Sequence, residues 1–147
     1  MGPFATTNPR ASTAGKTAAG LLAVVVGFQI CLAAGAPWGE AAYGGANPGV
    51  LPENLRVSSG VATGVYLALG AVAGTRLAGP TLRRRVLYAA TPLMAVGALM
   101  NLASPSFVER MLWTPVTVAL AAALWRAARD SSLVPTPRTK TWPVPVG

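Results

Sequence analysis

Residues 17–36 (TAAGLLAVVVGFQICLAAGA) run for 20 positions without a charge. Coiled as a helix, such a run is about 30 Å long, the thickness of a bilayer's hydrocarbon core. Three more apolar stretches follow, over residues 58–77, 86–103 and 111–126. In lipid the backbone must satisfy its own polar groups, so segments of this kind cross as helices. The expected fold is therefore an all-α membrane protein, with four transmembrane helices arranged as two hairpins. Residues 1–16 read as a flexible N-terminal tail, 17–128 as the transmembrane domain, and 129–147 as a disordered proline-rich tail.

Composition points the same way. Of 147 residues, 52% are hydrophobic and only 11% charged, against about 25% charged in a soluble domain. The mean hydropathy is +0.49. The first run ends in Ala34-Gly35-Ala36, small residues that a signal peptidase accepts, but Pro37 follows the would-be cut and the run exceeds a usual signal core. It reads as a retained span.

The net charge of +8 is distributed unevenly. Two hairpins put Arg10, Lys16, Arg76, Arg83, Arg84, Arg85, Arg126, Arg129, Arg138 and Lys140 on one side, and only Arg56 and Arg110 on the other. The positive-inside rule makes the first side cytoplasmic, with both termini there. The basic character is thus topological, and no nucleic-acid partner is expected. The Arg83–Arg85 triplet is expected to lie against anionic headgroups.

Within the second span, Gly60, Gly64, Gly70 and Gly74 fall on one helix face. Small residues let helix backbones approach in lipid, so these are helix-packing candidates. Their partner is either a neighbouring span or a second copy of the chain. Pro92 and Pro115 should kink or loosen the third and fourth spans. A Glu followed by an Arg closes each outer loop (Glu53 and Arg56; Glu109 and Arg110), an echo that two short loops also produce by chance.

The distinctive chemistry collects on the outer side. Glu40, Glu53 and Glu109 fall there, with Arg56, Arg110, Trp38, Tyr43 and Trp113 at the same level. Gln29, Ser59, Thr63, Asn101, Ser104 and Thr114 lean the same way within their spans. Polar groups avoid lipid, so they should point into the bundle. The expectation is an outward-opening polar pocket with the 37–57 loop as its lid. Glu40 would meet Arg56 or Arg110 across the mouth. The candidate ligand-binding residues are Trp38, Glu40, Arg56, Asn101, Glu109 and Arg110. A purely structural role, in which the charges pair and the aromatics form a belt, fits the same residues.

Catalysis is not expected. The chain has no histidine, which removes the Ser/His/Asp arrangement and the commonest metal nitrogen. A single cysteine, Cys31, makes no internal disulfide and no metal cluster. No cofactor or metal is expected. A proton-coupled exporter needs a carboxylate at mid-membrane depth, and no span carries one.

Three stretches carry a resemblance: AAGAPWGEAAYGG (33–45), LPENLRVSSG (51–60) and NLASPSFVERMLWTP (101–115). Together they resemble an uncharacterised family of small four-span integral membrane proteins of actinobacteria, over residues 20–128. The resemblance implies a bacterial plasma-membrane setting and carries over no functional residue. The sequence thus leads to a non-enzymatic membrane protein. It would either bind a lipid or small amphiphile at the outer pocket, or support a membrane complex through another membrane protein. The alternative is a small transporter that works by self-association.

Overall fold

The computed structural model describes residues 12–131, which form four α-helices. These are α1 (Thr13–Ala34), α2 (Glu53–Gly74), α3 (Pro80–Leu102) and α4 (Phe107–Asp130). Each is long and apolar enough to cross a membrane. No strand occurs among the described residues. Residues 1–11 and 132–147, and with them most of both expected tails, lie outside the described residues.

Each helix begins before its apolar stretch, at a capping serine or beside a proline. Ser12 accepts a hydrogen bond from Gly15 N and starts α1 at Thr13, four residues before the uncharged run. Pro52 precedes α2, which begins at Glu53 rather than at 58. Pro80 is the first residue of α3, where its missing N–H costs nothing. The three arginines expected in a turn therefore sit inside α3. Ser106 caps α4 by accepting from Glu109 N. Both α3 and α4 continue unbroken through Pro92 and Pro115.

α1 packs along α2, α3 along α4, and the two hairpins join through α1 and α4; α2 and α3 meet only sparingly. The core between them is small-featured: Ala18, Ala73, Ala90, Ala123, Ala127 and Ala128 surround Leu22, Leu87, Leu120 and Leu124. Large side chains such as Val61, Leu67, Leu93, Leu99 and Met100 face outward. Only 17–28% of the most apolar stretch of each helix is buried. A core made mostly of alanine, with many large side chains facing outward, is the packing that lipid, not water, favours. Hydroxyls within the spans bond back to their own helix: Thr63 to Ser59 O, Thr91 to Leu87 O and Thr117 to Trp113 O.

The glycine face of α2 divides in two. Gly70 lies against Leu22, and a Cβ on Gly74 would stand 2.7 Å from Ala19 Cβ, so this half packs on α1. A Cβ on Gly60 or Gly64 would meet nothing within 4 Å beyond its own helix.

Arg56, Arg83 and Arg110 are each the fourth residue of their helix. Arg56 and Arg83 reach back to the end of the helix before them, and Arg110 to the turn that joins α3 to α4. Arg56 Nε donates to Ala33 O at 3.1 Å, and Arg110 Nη1 to Ser104 O at 3.1 Å. Arg83 donates from Nη2 to Ala73 O at 2.7 Å and from Nη1 to Thr75 O at 3.1 Å. The last carbonyls of a helix lack intrahelical partners and carry the negative end of its dipole, so a guanidinium suits them. Arg83 is 9% exposed. It is therefore turned into the bundle, and only Arg84 and Arg85 of the triplet are exposed.

Candidate functional site: a lidded cavity

Residues 35–52 fold over the lid end of the bundle, between α1 and α2. Two short 3₁₀ turns, Gly39–Ala41 and Tyr43–Gly45, give the segment its shape. Gly39 N donates to Gly49 O at 2.9 Å, closing the loop on itself. A Cβ at Gly39 would lie 1.8 Å from Asn47 O, so only glycine fits. Tyr43 takes a left-handed φ of 51°, uncommon for a side chain of this size. Its hydroxyl secures it, at 3.0 Å from Ser59 Oγ and 3.2 Å from Leu55 O.

The other ties run from α4 and its approach to the lid backbone. Trp113 Nε1 donates to Ala41 O at 2.8 Å in a buried bond. Ser106 Oγ donates to Glu40 O. Glu109 is 9% exposed, and its Oε2 accepts from Gly44 N at 2.9 Å and from Ser104 Oγ. A buried carboxylate needs such donors, and charge-assisted bonds of this kind contribute about 1.5–3 kcal/mol each. From α1, Phe28 stacks on Trp38 at 6.0 Å and meets Trp113 edge-on at 4.6 Å. Ala42 and Leu51 of the lid bury against Leu32.

Beneath the lid lies a cavity of about 350 Å³ reached by all four helices. Its floor is apolar, with Val25, Met94 and Leu120. Its polar groups are Gln29, Asn101, Thr117, Tyr43, Tyr66 and Glu109. Asn101 Nδ2 donates weakly to Thr117 Oγ1 at 3.4 Å. Gln29 Oε1 is buried with no hydrogen-bond partner, as is Thr114 Oγ1 nearby in α4. Ala62 and Tyr66 of α2 and Met94 and Asn101 of α3 flank the sparsely packed seam between those helices.

The six candidate residues are placed as follows. Asn101 and Glu109 line the cavity. Trp38 stacks at its rim. Glu40 lends its backbone carbonyl to Ser106 while its side chain is exposed. Arg56 holds a carbonyl at the end of α1 and Arg110 the Ser104 carbonyl of the α3–α4 turn, and Arg110 also lies 6.0 Å from the Phe107 ring. The Glu40–arginine contact expected across the mouth is not formed: each guanidinium has a backbone partner instead. Phe28, Tyr66 and Thr117 complete the site and are not among the residues that the sequence singles out, and Gly44, which the sequence marks only as a turn glycine, adds a donor to Glu109. The first three follow from helix faces. Gly44 contributes only a backbone N–H, which no residue type announces. Among the described residues no group of three or more His, Cys, Asp or Glu side chains could hold a metal.

Four apolar helices closed by a lid define a multi-pass membrane protein. Compared with protein-family models, with curated proteins and with solved structures, the chain matches none.

Proposed function

We propose that this is a bacterial plasma-membrane protein, with both termini cytoplasmic and the lid outside, which holds a small amphiphile beneath that lid without catalysing a reaction. The observation that carries this reading is Gln29 Oε1, an acceptor buried at the cavity wall without a donor. An unmet buried acceptor costs about 1–3 kcal/mol, which an occupant with a hydroxyl or amine would recover. Glu109 is the one charged residue on the wall, so an anionic headgroup is disfavoured there. The favoured ligand is therefore a neutral or cationic lipid with a donor-bearing head, entering through the α2–α3 seam from the surrounding bilayer.

Native mass spectrometry of protein purified in mild detergent tests this directly. Wild type should carry a discrete added mass. Gln29→Leu, which removes the acceptor, and Ala62→Phe, which fills the space, should both lose it while melting near the wild-type temperature. A bare polypeptide mass in wild type, unchanged when neutral lipids are added back, sinks the proposal. A second reading, a small transporter acting as an oligomer, draws on the open Gly60–Gly64 surface, where a second helix could approach closely.

A further inference from the structure

At the opposite end of the bundle, α1 and α4 part to leave a trough of about 650 Å³. Its floor is made by Ala119, Ala122 and Ala123 of α4. With Arg126 these occupy positions i, i+3, i+4 and i+7, one continuous face of the helix. Seven residues of helix give a smooth channel about 10 Å long. Arg126 and Arg129 stand at its mouth, with Thr13 and Thr17 of α1 opposite.

The arginines differ in setting from Arg56, Arg83 and Arg110, because both are exposed. Arg129 lies over the Trp125 ring at 4.8 Å. Stacking uses the guanidinium's face and leaves its N–H edge for an anion. Asp130 also lines the mouth. Two guanidiniums and one carboxylate leave a single net positive charge, which suits a monoanionic phosphodiester better than a dianionic phosphomonoester.

We propose that this trough seats an anionic phospholipid, its phosphodiester on Arg126 and Arg129 and an acyl chain along the alanine floor. Charge complementarity at the mouth and an apolar channel running inward from it are the two halves of such a molecule. The site is separate from the lidded cavity and opposite in charge preference, so neither proposal depends on the other.

The test is a native mass-spectrometric titration of the delipidated full chain with phosphatidylglycerol and, separately, phosphatidylcholine. Wild type should prefer phosphatidylglycerol by about tenfold. Arg126→Gln/Arg129→Gln should abolish that preference. Ala122→Leu fills the floor without touching a charge, and should weaken phosphatidylglycerol several-fold. Equal binding of the two lipids overturns the proposal. So does a preference that survives in the double variant. Full binding in Ala122→Leu would mean a loosely held headgroup layer, not a seated lipid. Displacement of phosphatidylglycerol by millimolar inorganic phosphate would make this a free-anion site. Either result overturns the assignment.

Discussion

At the lid end a buried carboxylate, Glu109, collects donors from the lid and from the α3–α4 turn; at the basic end a buried guanidinium, Arg83, collects carbonyls from the end of α2. The two are equally buried, at 9% exposure. Both exchange water for groups of the chain: Glu109 for one backbone N–H and one hydroxyl, Arg83 for two carbonyls. The difference lies in what they hold. Glu109 fastens a segment that also hangs on Trp113, Ser106 and Tyr43, each through its own bond. Arg83 sits where α1, α2 and α3 converge, and a Cβ on Gly15 would stand 2.6 Å from its Nη2. Many separate ties make a lid that can open locally. One guanidinium among close-packed helices makes a joint whose failure is global.

The largest effect should come from that joint. Arg83→Ala leaves Ala73 O and Thr75 O without their donors and opens a cavity in the alanine core. It should lower unfolding free energy by about 3 kcal/mol, read as a fall in thermal stability in detergent. Arg83→Lys should recover part of this. A variant as stable as wild type would show that the packed alanines hold the basic end without it.

Gly39→Ala attacks the lid. The new methyl must displace the Asn47 carbonyl, which costs about 1–3 kcal/mol. Here the loss should be local. Hydrogen exchange of lid amides should rise sharply while helix amides stay protected. Global melting with no separate lid opening would erase the proposed difference between the two ends. Glu109→Gln is milder, because the amide oxygen still accepts from Gly44 N. It should cost about 1–2 kcal/mol of lid protection, with Arg83-dependent stability unmoved.

The spans were legible because 20 uncharged residues leave few alternatives to a membrane helix. Their ends were not. Helices continued through Glu53–Arg56 and Pro80–Arg85, which carry too much charge to be counted by hydropathy. That shift hid the arginine pattern, since a fourth position has no meaning until the first is known. The level of the site was visible from where Gln29, Asn101 and Glu109 fall. Its bonding was not, because a sequence of arginines and glutamates suggests pairing between them. In the structure Arg56, Arg110 and Glu109 each have backbone partners. The Ser106–Glu109 spacing is that of a capping box, yet the Glu109 carboxylate goes to Gly44 N and Ser104 Oγ. Only the tertiary position of the lid decides that.

Trp113→Phe sharpens the picture at about 1 kcal/mol, the worth of one hydrogen bond. The ring keeps its edge contact with Phe28 and loses only the bond to Ala41 O. Lid exchange should quicken modestly, less than in Glu109→Gln. The smallest effect on the fold is expected at Gly64→Leu. A Cβ there would meet nothing within 4 Å beyond its own helix, so a leucine should face lipid and thermal stability should not move. Gly74→Leu is its control, because its Cβ would stand 2.7 Å from Ala19 Cβ and must push α1 from α2. The pair separates the two uses of a glycine face. If Gly64→Leu leaves stability intact but shifts the mass in detergent from a larger species to a monomer, the open half of α2 is a contact between copies. If mass and stability are both unchanged, the close-packing role of that face ends at Gly70 and Gly74, inside the first hairpin.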